Sequence, residues 1–125
     1  MGYAYDDQNI FARILRGEIP NKTVLETAHS LAFEDIRPQA PVHVLVIPKG
    51  KYVSYDDFAR NASEAEIVDF VRTVGEVCRM TGVALDAGEG FRAIANSGGA
   101  GVQEVPHFHT HILGGRGLGR MLQPA

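Results

Sequence analysis

The sequence predicts an α+β fold: a sheet of about five strands, one long helix against it and one short N-terminal helix. Three observations carry this expectation. Residues 63–66 read Ser-Glu-Ala-Glu, an S-x-x-E capping box that opens an apolar stripe at helical spacing. Several short apolar runs bounded by Gly, Pro or polar turn residues have the length of strands. The third is PHFHTHILGG near the C-terminal end, apolar at Phe108, Ile112 and Leu113 and closed by Gly114 and Gly115.

Taken in order, Asp6 or Asp7 is expected to cap a short helix carrying Ile10, Phe11, Ile14 and Leu15, which Gly17 and Pro20 end. Residues 23–27 and 30–34 read as two strands about a turn at Ala28-His29, and Pro38 and Pro41 bracket a stiff loop. Residues 42–47 read as a buried strand that carries His43. Ser63 then opens the main helix, with Ile67, Phe70, Val71, Val74, Val77 and Cys78 as one core-facing stripe. Gly75 in its interior costs about 1 kcal/mol against Ala, which a close approach by a neighbouring element would explain. Gly82 reads as the helix stop, and residues 91–95 as the next strand.

Composition bounds the function. A chain of 125 residues suits one domain, residues 1–125. Charged residues are 22%, too few for bulk disorder. The net charge of −3 and the lack of a Lys/Arg run argue against nucleic-acid binding, so an anionic ligand would be held by local donors. The single cysteine excludes an internal disulfide framework and CxxC zinc knuckles. No apolar run approaches ~18 residues, so no membrane span is expected. The first residues lack a basic n-region and an apolar h-region, which makes the cytoplasm the expected location.

His107, His109 and His111 occupy alternate positions, so on a strand all three rings are expected to project to one face. Two chemistries compete for such a row. A neighbouring pair can ligate zinc, but on one strand the first and third α-carbons lie roughly 13 Å apart at about 3.3 Å per residue, so a metal needs further ligands from elsewhere. Alternatively, imidazoles attack phosphorus, stabilise charge on its oxygens and hand on a proton. The loop 96–104, with Gly98, Gly99 and Gly101, runs straight into this stretch, and its backbone N–H groups can converge on an anion.

His107-Phe-His109-Thr-His111-Ile-Leu resembles the signature of the histidine triad (HIT) superfamily, and IFARILRGEIP, LAFEDIRPQAPVHVLVIPK and HILGGR resemble its nucleotide-binding phosphoramidase (HINT) branch. The likeness spans about Ile10 to Arg116. It implies an antiparallel five-stranded sheet, a two-fold homodimer, a purine nucleotide substrate, and no cofactor or metal. It further implies that His109 is the nucleophile on the α-phosphorus, forming a nucleotidyl-imidazole intermediate. His107, His111 and His43 are implied to orient it and contact phosphate. Asn96 matches an asparagine of the phosphate site, and Asp35 the carboxylate that accepts from the ribose hydroxyls; the backbone N–H groups near Val102, Gln103 and Val105 can supply further donors to the phosphoryl oxygens. Ile10, Phe11, Ile14, Phe33, Ile36 and Leu45 match the apolar base pocket.

The chain departs from the branch at three places. Val102-Gln103-Glu104-Val105 stands where the branch commonly has Gly-Gln-Ser/Thr-Val, so Glu104 replaces the hydroxyl that helps protonate an amine leaving group. A carboxylate beside a phosphate is repelled by about 1 kcal/mol at 4 Å in water; Glu104 is therefore expected either to turn away or to act, protonated, as general acid. Thr110 occupies an otherwise apolar position. The C-terminal tail, residues 117–125, is expected to shape the dimer and substrate pocket, and its LGRMLQPA lacks the tryptophan of animal members. Phosphoramidate hydrolysis is thus the leading expectation. Dinucleotide polyphosphate hydrolysis with the same nucleophile, or nucleotide binding with incidental hydrolysis, are the alternatives.

Overall fold

The computed structural model describes residues 3–124; the ends of the expected domain and tail, residues 1, 2 and 125, lie outside this range. In chain order the elements are α1 (Ile10–Leu15), β1 (Thr23–Glu26), β2 (Ser30–Glu34), β3 (Val42–Pro48), α2 (Tyr55–Asn61), α3 (Glu64–Met80), β4 (Phe91–Ile94) and β5 (Thr110–Gly114). The five strands form one antiparallel sheet in the order β1-β2-β3-β5-β4. The fold is α+β, as the patterning predicts. None of the described helices is long and apolar enough to cross a membrane.

Strand alternation divides the core between the two faces of this sheet. Ala32, Val44, Val46 and Ile112 join Phe70, Val77 and Cys78 of α3 on one face. Leu31, Phe33, Leu45 and Ile47 join Phe11 and Ile14 of α1 on the other. His43 and His111 belong to the second face by the same alternation, so α3 braces the sheet from behind while the histidines stand in front.

α3 starts as its sequence dictates. The Ser63 hydroxyl accepts the Glu66 N–H at 3.2 Å, and the Glu66 carboxylate accepts the Ser63 N–H at 3.0 Å. Gly82, at φ +78°, follows its C-terminal end. Two expectations about this helix change. Gly75 is exposed, and an added Cβ would meet nothing within 4 Å, so no close approach explains it. Val71 is 64% exposed rather than in the core, lining an open groove with Tyr55 and Ala93.

α1 is capped by Asn9, whose side chain accepts the Ala12 N–H at 2.9 Å, and not by Asp6 or Asp7. The Asp6 carboxylate is engaged by the Gln8 N–H one turn earlier, and Asp7 pairs with Lys51 at 2.8 Å. α2 has no counterpart in the sequence reading. It is capped by Ser54, but of its seven residues only Phe58 is an apolar residue in the core, too little for a periodic signal.

The largest correction concerns the histidine stretch. β5 begins only at Thr110, so His111 alone of the triad lies in a strand. Pro106 has no N–H to give, the His107 N–H turns back to Val105 O at 2.9 Å, and the Phe108 N–H goes to Tyr52 O at 2.7 Å. Residues 105–109 therefore leave the ladder, yet the three rings still gather on one side: Phe11 stands edge-on to both His107 and His109, and His109 to His111.

Candidate active site

The β3–β5 register brings two of the histidines together. His43 pairs with Leu113 and Leu45 with His111, so His43 and His111 are diagonal neighbours on one face. Their rings meet at His43 Nε2 and His111 Nδ1, 2.9 Å apart. Asp35, at the end of β2, places Oδ2 3.4 Å from the same His43 Nε2, and its Oδ1 accepts the Arg37 N–H at 2.8 Å. The ring of His109 lies edge-on to His111, with centroids 5.1 Å apart, and to Phe11 of α1 at 5.0 Å.

Proton positions follow from the partners. The Gln39 N–H donates to His43 Nδ1 at 3.1 Å, so in the neutral ring the proton sits on Nε2 and is given to His111 Nδ1. That leaves the His111 proton on Nε2. His107 donates from Nε2 to Pro48 O at 2.8 Å and accepts at Nδ1 from the Tyr5 hydroxyl at 2.6 Å. His109 donates from Nδ1 to His107 O at 2.8 Å. Its Nε2 therefore carries a lone pair.

Burial keeps all four rings neutral near pH 7. It pushes His107 down to about 4 against the Pro48 bond that favours its charged form. It pushes His111 to about 4 as well, with the rings of His109 and His43 adding to the effect and Asp35 opposing it. His109 and His43 are lowered from the ordinary histidine value by the same cause. A neutral imidazole with a defined lone pair is what attack on an electrophile requires.

Asp35, His43 and His111 offer three ligand atoms within 4.8 Å of one another, a spacing that suits a metal ion. The donor set does not. The Gln39 N–H holds His43 in the tautomer whose Nε2 is protonated, so the nitrogen facing the other two has no lone pair to give. The cluster is a hydrogen-bonded chain in which His43 donates to His111 Nδ1 and so holds the His111 proton on Nε2.

The loop before the triad is built tightly. At Gly101 an added Cβ would fall 2.6 Å from Ser97 O, so only glycine fits. Val102 sits at φ +57°, a region that costs a β-branched residue on the order of 1–2 kcal/mol. Several expected phosphate donors are already engaged. The Val102 N–H bonds Gly99 O and the Gln103 N–H bonds Gly98 O, while the Gln103 amide side chain ties Gly98 N–H to the carbonyls of Val53 and Val105. Gln103 is a loop staple in this state. The N–H groups of Glu104 and Val105 make no bond within the described residues, and half-buried Asn96 leaves its amide unengaged there. Glu104 is exposed, and its charge raises the basicity of His109.

Of the six expected base-pocket residues, Phe11, Ile14, Phe33 and Leu45 pack into the cluster that backs the histidines, with Val105 against its edge. Ile10 is partly exposed and Ile36 is 86% exposed, outside that cluster. Tyr5 was missed. It lies 102 positions from the ring it touches, and no spacing rule relates the two.

The geometry accords with a comparison of the whole chain. The family model described as the HIT domain matches residues 16–118. The chain belongs to the HIT family. Among its relatives, a 13.2 kDa HIT-like protein of Azospirillum brasilense is 57% identical, over 98% of both chains. A purine nucleoside phosphoramidase of Escherichia coli is 38% identical over 93% of this chain and 94% of its own. The crystal structure of a HIT family hydrolase from Legionella pneumophila superposes with a TM-score of 0.78 at 37% identity, covering 88% of this chain and 95% of that one. This HIT protein is a hydrolase, and its sheet is the sheet of the family.

Proposed function

We propose that this HIT hydrolase cleaves the P–N bond of purine nucleoside phosphoramidates. One observation carries the reading: His109 gives its Nδ1 proton to a backbone carbonyl and so keeps Nε2 as a lone pair beside two further neutral histidines. In the first step His109 Nε2 bonds to the α-phosphorus, the P–N bond breaks, and the amine departs with a proton. In the second, water bonds to phosphorus and gives up a proton to the Glu104 carboxylate, the N–P bond to His109 breaks, and the nucleoside monophosphate leaves. His111 holds its Nε2 proton as a hydrogen bond to a phosphoryl oxygen, and His43, with Asp35 beside it, keeps His111 in that tautomer. Asp35 also accepts from the ribose hydroxyls, while the exposed end of the apolar cluster takes the base. The purine nucleoside phosphoramidase of E. coli, alike over nearly its full length, supports the substrate class.

Turnover of adenosine 5′-phosphoramidate in the presence of EDTA is the direct test. Hydrolysis to AMP that survives chelation is expected. A protein that hydrolyses diadenosine polyphosphates but no phosphoramidate would shift the assignment to the phosphoanhydride bond. Glu104 is proposed to protonate the departing amine, since its side chain is exposed and free to swing towards it. Glu104→Gln is then expected to lose rate several-fold, most for strongly basic amines. A pH–rate profile superposable on wild type would remove Glu104 from the mechanism.

A homodimer is proposed on separate grounds. β4 ends the sheet with an open edge, and Phe91 on it is 44% exposed. Beside it, Tyr55 and Val71 are each more than half exposed and line an apolar groove of about 610 Å³. An unpaired strand edge next to an uncovered apolar face is the usual setting of an isologous contact. Val71→Asp should leave the fold intact and halve the sedimenting mass. A wild-type protein that sediments as a monomer at micromolar concentration would refute the dimer.

A further inference from the structure

The N-terminal arm, residues 3–9, lies across the front of the triad. Its links to the body are spread along its length. The Tyr3 hydroxyl donates to Asp56 at 2.7 Å, Asp7 pairs with Lys51 at 2.8 Å, and Arg16 donates to Asp7 O at 2.8 Å. Between these anchors the arm presents one group to the site, the hydroxyl of Tyr5, 2.6 Å from His107 Nδ1, with the two rings edge to face.

We propose that Tyr5 is a positioning residue for the nucleophile: its O–H locks His107 in the Nε2–H tautomer and so steadies the carbonyl that fixes the tautomer of His109. This rests on the nucleophilic role assigned to His109. His107 is fully buried, so neither of its nitrogens can turn to bulk water for a partner. Pro48 O can only accept, which demands a proton on Nε2 and leaves Nδ1 needing a donor. Tyr5 is that donor. Without its hydroxyl the ring keeps a buried, unpartnered nitrogen, or changes tautomer and sets a lone pair against Pro48 O. Either outcome loosens the residue whose own carbonyl takes the His109 Nδ1 proton. Burial also raises the Tyr5 phenol above its ordinary value, so it remains a donor at neutral pH.

A bland alternative is that Tyr5 only wedges the arm in place. The full chain as wild type, Tyr5→Phe and Tyr3→Phe separates the two. Tyr3→Phe cuts an anchor of the same arm but touches no histidine. The readouts are kcat and KM for adenosine 5′-phosphoramidate, and the ring-nitrogen NMR shifts of the histidines. Tyr5→Phe is expected to lower kcat by about 10- to 100-fold with KM little changed, the penalty of a loosened catalytic geometry. It should also turn the single tautomers of His107 and His109 into mixtures. Tyr3→Phe should keep wild-type kcat and spectra. Unchanged kcat and tautomers in Tyr5→Phe would overturn the proposal, as would a Tyr3→Phe variant equally impaired. Should wild type hydrolyse no phosphoramidate, the proposed function alone falls. The nitrogen spectra then decide for Tyr5, altered tautomers supporting it and unaltered ones rejecting it.

Discussion

His109→Ala is expected to abolish phosphoramidate turnover, with kcat falling by at least about 10⁴-fold, as removal of a nucleophile generally does. The reasoning is chemical. In the proposed mechanism the phosphoryl group passes through a covalent bond to His109 Nε2, and no second lone pair in the site can replace it. His43 and His111 share a proton between facing nitrogens, and both nitrogens of His107 are clamped by Tyr5 and Pro48. Binding of AMP should persist, because Asp35, proposed to accept from the ribose hydroxyls, the apolar cluster and the remaining histidines are untouched. The ring of His109 is nearly buried against Phe11, so truncation also leaves a void and some loss of stability is expected. Calorimetric titration with AMP shows whether the variant retains a folded site. Mass spectrometry of quenched reactions should find a nucleotidyl adduct in wild type and none in the variant. A variant within tenfold of the wild-type rate would mean that another group attacks phosphorus.

Acid should destabilise the protein well above the pH at which carboxylates titrate. His107 and His111 are held at about 4, and His109 and His43 are also lowered. Above the unfolded histidine value near 6.5 these rings are neutral in both states and contribute no pH dependence. As pH falls below 6.5 the unfolded chain takes up protons that the folded chain refuses, so unfolding becomes easier. The loss grows until the folded value near 4 is reached. For fully buried His107 alone it is about 2 kcal/mol at pH 5 and about 3 kcal/mol when complete. Against a typical total of about 5–15 kcal/mol this is a large share. Urea titrations at pH 7.5 and 5 should show the midpoint fall at constant m-value. The carboxylates of Glu66 and Asp69, lowered by hydrogen bonds to Ser63 and Tyr52 and to Ser30 and Thr27, lose their contribution only at more acidic pH. A midpoint that stays constant between pH 7.5 and 5 would show that the rings titrate as if exposed.

Much of the fold was legible because the signals are local. The capping box at Ser63 and Glu66 names both its start and its partner within one turn, and α3 begins there. The first four strands lie within a residue or so of the runs that predict them, whereas β5 starts only at Thr110, three residues past His107. Shorter or mixed signals misled. α2 has too few apolar positions for a period to register. Asp6 and Asp7 are good caps by type, but their side chains are taken by Gln8 and Lys51, and Asn9 caps instead. Val71 fits the apolar stripe of α3, yet it lines an open groove, and the stripe does not encode what covers it.

The candidate site divides the same way. Residue type and spacing alone determined that this chain concentrates imidazoles beside a glycine-bearing loop and carries no charge pattern for nucleic acid; its motifs resemble those of the HIT family, to which it belongs. Which nitrogen of each histidine holds a proton was decided only by the tertiary structure. That choice depends on Gln39, Pro48, Tyr5 and the His107 carbonyl, groups brought to the rings by the β3–β5 register and by an arm 102 residues away in sequence. A neutral imidazole has two tautomers of similar energy. Its environment must select one, and that environment is non-local.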